Sequence, residues 1–252
     1  MTYVERLVVN NETKTTILYD EHIIRYKFVA PLTVGKQVLD IACGSGYGAA
    51  FLADNGATSV LGMDIDAETI KENQKNYSQA TLEFRQGDAT KTDLTTESFD
   101  VVTSFETIEH LPEIEAYLSE LKRVIKQDGL VFISTPNKTI FKQTNPWHLK
   151  EFTKEEFETL LKKFFPFVKI IEQKNALSSV IKVNDKTEGE VLFNDQTKEA
   201  LYFIAVCSKR EITENFNNVT SANTVAYENW ENNPGWKLVN AVYRILQKLK
   251  IK

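Results

Sequence analysis

Short apolar runs alternate with stretches of helical period along most of this chain. Apolar runs bounded by turn residues predict strands near residues 38–41, 59–65, 84–89, 99–105, 129–135, 167–172 and 201–207. Between them, apolar residues at three- and four-residue spacing predict helices. Residues 21–30 (EHIIRYKFVA) place Ile23, Ile24, Tyr26, Phe28 and Val29 on a helix that Pro31 is expected to end. Further helices are predicted over 49–55, over 67–77 with Asp66 as N-cap, and over 112–126 with Pro112 in its first turn. Thr153 and Glu156 have capping-box spacing and open a helix over 154–164. Gln127-Asp128-Gly129 is expected to turn the chain into the fifth strand. Strands alternating with helices imply an α/β fold with a parallel, doubly wound sheet.

Two stretches depart from this rhythm. Residues 178–197 carry two short apolar runs around a polar centre and read as a hairpin insertion. Residues 211–235, rich in Asn, Thr and Glu, read as a loose linker. Residues 236–252 then form a basic amphipathic stretch, with Leu238, Val239, Val242, Ile245, Leu246 and Leu249 on one face. Such a helix suits an anionic membrane or a protein partner, or docking on its own domain.

Composition narrows the class. The 252 residues are 42% hydrophobic and 26% charged, with a formal net charge of −5. That balance gives no basic footprint for nucleic acid. Two cysteines, Cys43 and Cys207, cannot make a disulfide framework and point to a reducing compartment. No window suggests a membrane span, and the start lacks a signal-peptide pattern. The expected location is cytoplasmic, with peripheral contact at the inner membrane face as the variant that residues 236–252 leave open.

The most informative run is VLDIACGSGYG, residues 38–48. A strand carries an acid, Asp40, near its end, and a loop of small residues leads into a helix. Glycines let the backbone turn tightly and approach a ligand closely. The dinucleotide fingerprint can be laid on Gly44, Gly46 and Ala49, but a carboxylate beside a pyrophosphate is unfavourable. A cationic ligand suits Asp40 better. The run resembles motif I of the class I S-adenosylmethionine (SAM)-dependent methyltransferases, D-x-G-x-G-x-G, with Ala42 at the first glycine position. Later landmarks keep the family order: Asp64 ending the second strand, Gly87-Asp88-Ala89 after the third, then strands four and five.

That resemblance implies a seven-stranded Rossmann-like sheet of order 3-2-1-4-5-7-6, strand seven antiparallel, and SAM as cofactor. It implies a cap over the cofactor in residues 1–36, a SAM-binding domain in 37–210 containing the insertion, and an appendage in 211–252. It gives Asp64 the ribose hydroxyls and Asp88 the adenine amino group. Asp40, Ala42, Gly44, Gly46, Ile65, Ala89 and Phe105 complete the expected cofactor contacts, with Arg25 a candidate for the SAM carboxylate or for a surface salt bridge.

Residues beyond strands four and five are the candidates for chemistry, because ligands of open α/β sheets sit at the carboxyl ends of the strands. They include Glu106-Thr107-Ile108-Glu109-His110 and Asn145-Pro146-Trp147-His148-Leu149. A sugar hydroxyl needs a general base such as histidine, or a metal that lowers its pKa. Glu106, Glu109, His110 and His148 could together hold Mg2+ or Mn2+. Alternatively His110 or His148 acts as base, with Glu106 reaching the cofactor or a substrate hydroxyl. The E-x-x-E-H pattern is similar to that of small-RNA 2′-O-methyltransferases and of ubiquinone-biosynthesis O-methyltransferases.

Three runs resemble the methyltransferases of O-antigen and other surface glycans: Tyr3-Val4-Glu5-Arg6, Glu21-His22-Ile23-Ile24-Arg25-Tyr26, and Asn145 through Phe152 with Trp147 in place of phenylalanine. Trp147 could stack on a sugar ring or plug the loop from below, while Asn145 and Glu151 could bind hydroxyls. The expected activity is therefore methyl transfer to a sugar hydroxyl of a surface glycan or nucleotide-sugar precursor. A quinone or phenolic acceptor is the alternative enzyme reading, and an inactive SAM-fold partner subunit the alternative of another class.

Overall fold

The computed structural model describes residues 7, 9, 13–141, 145–175 and 199–216. The resemblance to a glycan branch at residues 3–6, the hairpin at 178–197 and the amphipathic stretch 236–252 lie outside the described residues.

The seven strands are β1 (Gln37–Ile41), β2 (Ser59–Asp64), β3 (Leu82–Gln86), β4 (Phe99–Ser104), β5 (Ile125–Pro136), β6 (Phe167–Gln173) and β7 (Tyr202–Ser208). They form one sheet of order β3-β2-β1-β4-β5-β7-β6. β1 to β5 run parallel, and β7 is antiparallel to both β5 and β6. The helices are α1 (Ile17–Thr33), α2 (Tyr47–Asp54), α3 (Ala67–Asn76), α4 (Ile114–Val124), α5 (Lys138–Phe141) and α6 (Lys154–Lys162).

The two-residue period of the strands divides the core. Val38, Val60, Val101, Leu130, Phe132, Ile204 and Val206 face one side, packed with Ile23, Tyr26, Val29 and Leu52 from the helices. Leu39, Ile41, Leu61, Val102, Val131, Ile133, Ala205 and Cys207 face the other, packed with Tyr117, Leu118, Leu121, Phe157 and Leu161. Burial on both faces explains why these strands read as nearly continuous apolar runs.

Local signals set two helix starts. Asp66 accepts the Glu68 N–H at 3.0 Å, and Thr153 with Glu156 forms a reciprocal capping box. Three boundaries differ from expectation. α1 runs through Pro31 to Thr33, because Thr33 Oγ1 donates to the Ala30 carbonyl at 2.9 Å and Val29, Ala30 and Thr33 are buried together. α4 begins at Ile114, leaving Pro112 outside it. β5 begins at Ile125, opposite Phe99, and Gln127-Asp128-Gly129 is an irregular stretch within the strand rather than a turn before it. The expected loose linker is packed where it is described: Phe216 stacks on Phe28 at 5.7 Å, and Arg210 pairs with Glu214. No helix among the described residues is long and apolar enough to cross a membrane.

Candidate functional site

The loop after β1 turns through three left-handed residues, Ala42 (φ 58°), Gly44 (φ 53°) and Gly46 (φ 74°), before α2 begins at Tyr47. Gly46 offers no side-chain cap to α2, so the helix N-terminus can receive polar groups of a ligand. Gly48 lets α1 lie close: a Cβ there would fall 1.9 Å from the Tyr26 ring. Alanine pays a steric penalty of about 1–2 kcal/mol in the left-handed region, and glycine costs roughly 0.4–1 kcal/mol in the unfolded chain. Ala42→Gly should therefore stabilise the protein by roughly 0.5–1 kcal/mol, read as a higher urea midpoint. A lower midpoint would show that the alanine methyl has packing worth more than the strain.

Asp40 lies beneath this loop and is buried. Its carboxylate accepts the Thr103 hydroxyl at 2.7 Å, and the Tyr26 hydroxyl lies 3.2 Å from both oxygens. Burial pushes Asp40 up to about 7, against the lowering effect of those two hydroxyls. The folded value lies above the ordinary 3.8, so this group's contribution to stability is complete below the unfolded pKa and is lost as pH rises to about 7. A cationic ligand favours the ionised form. If Asp40 serves SAM, its affinity should fall by up to about tenfold per pH unit below 7, with the dependence abolished in Asp40→Asn. Calorimetry at pH 6 and pH 8 reads both, and equal affinities would remove Asp40 from cofactor binding.

Asp64 stands across the loop. It accepts the Gly44 N–H at 2.9 Å and the Asp66 N–H at 3.0 Å. Ile65, beside it, is 68% exposed. Asp88 accepts both the hydroxyl and the N–H of Thr90, and Ala89 packs against the core. Phe105 meets the Tyr26 ring edge-on at 5.0 Å. Cys43 is a buried thiol at the loop's root, outside any disulfide and in keeping with a small filler.

Arg25 is fully buried, which excludes the surface salt bridge. Its Nε donates to Gln173 Oε1 at 2.8 Å, and its guanidinium lies over the Tyr202 ring at 4.4 Å. Nη1 is 3.6 Å from Glu106 Oε1, and neither terminal nitrogen has a hydrogen-bond partner among the described residues. Buried donors are normally satisfied, so this fork is suited to an anionic ligand.

Beyond β4, Glu106 adopts a left-handed backbone (φ 50°) and exchanges hydrogen bonds with Ser134. Its N–H donates to Ser134 Oγ at 3.0 Å, and Ser134 donates to its carboxylate at 2.6 Å. A short turn, Ile108–His110, follows. Glu109 is buried. Oε2 accepts from Thr135 at 3.3 Å, while Oε1 has no hydrogen-bond partner among the described residues. Burial, then the charge of Glu106, holds the Glu109 carboxyl well above the usual range. The Glu109 carbonyl accepts the Leu149 and Lys150 N–H groups at 2.8 and 3.2 Å, pinning the following loop to this turn.

That pinning brings His148 to His110, with ring centroids 4.9 Å apart. Glu109, His110 and His148 each offer a ligand atom within 4.8 Å of the others. Glu106 is not in that group; its carboxylate is taken by Ser134 and faces Arg25, which corrects the expected set of four metal ligands. Glu151 is also placed differently from expectation. It is buried against His148, with Oε1 2.7 Å from Nδ1, and so is not a group that meets a substrate hydroxyl. Asn145 accepts the Trp147 N–H and reaches His148 Nε2, each at 3.0 Å. Trp147 is 49% exposed, which excludes a plug under the loop.

Several site residues escaped the sequence reading: Tyr26 and Thr103 on Asp40, Ser134 on Glu106, and Gln173 and Tyr202 around Arg25. Only Tyr26, adjacent to Arg25 in a quoted motif, had any sequence signal.

Residues 39–133 match the family described as "Methyltransferase domain". A probable S-adenosylmethionine-dependent methyltransferase of Mycolicibacterium smegmatis is 34% identical over 148 residues, covering 57% of this chain and 56% of that protein. The ubiquinone biosynthesis O-methyltransferase of Glaesserella parasuis is 39% identical over 114 residues, covering 42% and 47%. The chain thus spans about half the length of the curated relatives it matches. Among solved structures, a Thermotoga maritima SAM-dependent methyltransferase, described as a possible histamine N-methyltransferase, aligns with a TM-score of 0.57 at 17% identity, over 76% of this chain and 90% of that one. The fold is that of the class I methyltransferases, and residues 39–133 are similar to a methyltransferase domain.

Proposed function

We propose that this chain transfers the methyl group of SAM to a hydroxyl of a carbohydrate acceptor, in a surface glycan or a nucleotide-linked sugar. The observation that carries the reading is the half-exposed Trp147, next in the chain to His148, whose ring is paired with that of His110. An exposed aromatic side chain suits the apolar face of a sugar, and the polar groups of the same loop suit its hydroxyls. Asp40 would face the amino group of SAM, the Arg25 fork its carboxylate, Asp64 the ribose and Asp88 the adenine.

Transfer is an in-line displacement. The acceptor oxygen forms a bond to the methyl carbon as the carbon–sulfur bond breaks, its electron pair staying on sulfur. The acceptor proton must leave, and a neutral sugar hydroxyl does not release it unaided at pH 7. Holding both reactants in line supplies much of the rate, and an imidazole nitrogen can take the proton. The same three residues fit a divalent cation: Glu109 has a buried oxygen without a hydrogen-bond partner, and two imidazoles complete a mixed nitrogen–oxygen set. Such an ion, held by Glu109, His110 and His148, would lower the pKa of the hydroxyl.

The relatives named for ubiquinone biosynthesis favour a second reading, a phenolic acceptor. Methyl-labelled SAM offered with nucleotide sugars, oligosaccharides and catechols separates the two. Label in carbohydrate supports the first, and turnover confined to catechols replaces it with the second. Under the first reading, Trp147→Ala raises KM for the acceptor and leaves the SAM Kd unchanged.

A further inference from the structure

The hydrogen bonds of the loop after β5 determine where the protons of both site histidines sit. The Trp147 N–H is a donor only, so the Asn145 atom that receives it is Oδ1. Asn145 therefore presents its NH2 group to His148 Nε2 at 3.0 Å, and that nitrogen must be the acceptor. The proton of the neutral ring is then on Nδ1, which donates to Glu151 Oε1 at 2.7 Å. Glu151 is an apt acceptor because its side chain is fully buried, while that of His148 is 9% exposed. His110 follows the same logic by another route. Its Nδ1 lies 3.1 Å from the Trp147 carbonyl, which accepts only, so Nδ1 again carries the proton.

We infer that this loop is a tautomer lock, with Glu151 as the positioning residue for His148 and the Trp147 carbonyl as that for His110, so that Nε2 is the basic nitrogen of both rings. In water the neutral imidazole prefers its proton on Nε2, so the loop selects the less favoured form. The partner on one nitrogen decides what the other can do. A carboxylate on the far nitrogen also raises the basicity of a histidine used as ligand or base, and losing such a partner typically costs about 10–100-fold in metal affinity or activity. Asn145 now covers Nε2 of His148, so an acceptor hydroxyl or a cation reaching that atom displaces the Asn145 amide. The assignment rests on the proposed reading only in giving the two rings a catalytic purpose; the proton positions stand by themselves.

The chain's three histidines make the test direct. Long-range proton–nitrogen correlation spectra of the 15N-labelled full chain, at mildly alkaline pH and without added metal, report the tautomer of each ring. His22→Gln and His110→Gln assign the signals. His110 and His148 are expected to show the Nδ1–H pattern. Glu151→Leu combined with Asn145→Asp, which keeps an acceptor for the Trp147 N–H and turns the Nε2 partner from donor to acceptor, should convert His148 to mainly Nε2–H and leave His110 unchanged. Glu151→Gln, whose amide oxygen can still accept, should keep the Nδ1–H pattern. An Nε2–H signature for His148 in the unmodified protein overturns the lock, as does a Glu151→Leu/Asn145→Asp spectrum identical to it. If the leucine variant fails to fold, the unmodified and glutamine spectra decide. No acceptor is present, so a failed acceptor screen leaves these spectra standing, and sugar methylation alongside an Nε2–H His148 sinks the lock alone.

Discussion

If Glu109, His110 and His148 hold a divalent cation as proposed, Glu109→Gln is expected to weaken its binding sharply without lowering the stability of the metal-free protein. Burial, followed by the charge of Glu106, holds this carboxyl well above its ordinary range, so in the absence of a cation the site favours its uncharged form. Glutamine has the same shape and the same lack of charge. A raised folded-state pKa means that the group's contribution to stability is complete below the unfolded carboxylate value and is lost as pH rises through the folded one. Glutamine has no such dependence, so the variant should hold its Tm better at alkaline pH. Towards a cation the two side chains differ sharply, because only glutamate supplies an anionic oxygen. The loss of affinity should be roughly 100-fold or more, beyond the 10–100-fold typical of outer-shell changes. Calorimetric titration with Mn2+ and a Tm shift on adding it are the readouts. In turnover, EDTA should silence the native protein reversibly. If methyl transfer survives exhaustive chelation while His148→Ala is inactive, the metal is wrong and His148 is the general base.

Asp64→Ala should cost SAM binding about 1.5–3 kcal/mol, the scale of hydrogen bonds to a charged group, or roughly 10–150-fold in Kd. Two effects add. The ribose hydroxyls lose an acceptor, and the Gly44 and Asp66 N–H groups, at 2.9 and 3.0 Å from this carboxylate, lose theirs. Asp64→Asn separates the two, since one amide oxygen can keep part of the loop but cannot accept from the ribose with both atoms. Its Kd should fall between the native and alanine values. Calorimetry that finds alanine and native equal would remove Asp64 from the cofactor site, and binding of NAD in place of SAM would remove the methyltransferase reading with it.

What was legible in the sequence was local. Apolar runs with acids and glycines at their ends marked the strands, because a strand buried on both faces admits little else. Asp66 and the Thr153–Glu156 pair announced helix starts through hydrogen bonds that span only two or three positions. The order of landmarks led to the sheet order through a family resemblance, and the topology agrees. Side-chain direction was not legible. Arg25 reads as a cofactor-binding group or a surface charge alike until Gln173, 148 positions later, and Tyr202 close around it. Glu106 and Glu109 look equivalent three residues apart. The left-handed backbone at Glu106 and the hydroxyl of Ser134 draw one carboxylate away, while the turn at Ile108–His110 buries the other. Glu151 reads as a polar loop residue that could meet substrate, yet the packing that seats the Phe152 ring in the core buries it against His148. The sequence determined which segments form strands and helices and which residue types reach the carboxyl edge of the sheet, since these depend on neighbours a few positions away. The tertiary structure decided which of those side chains meet, since hydrogen bonds and burial between segments tens of residues apart exist only once the sheet has assembled.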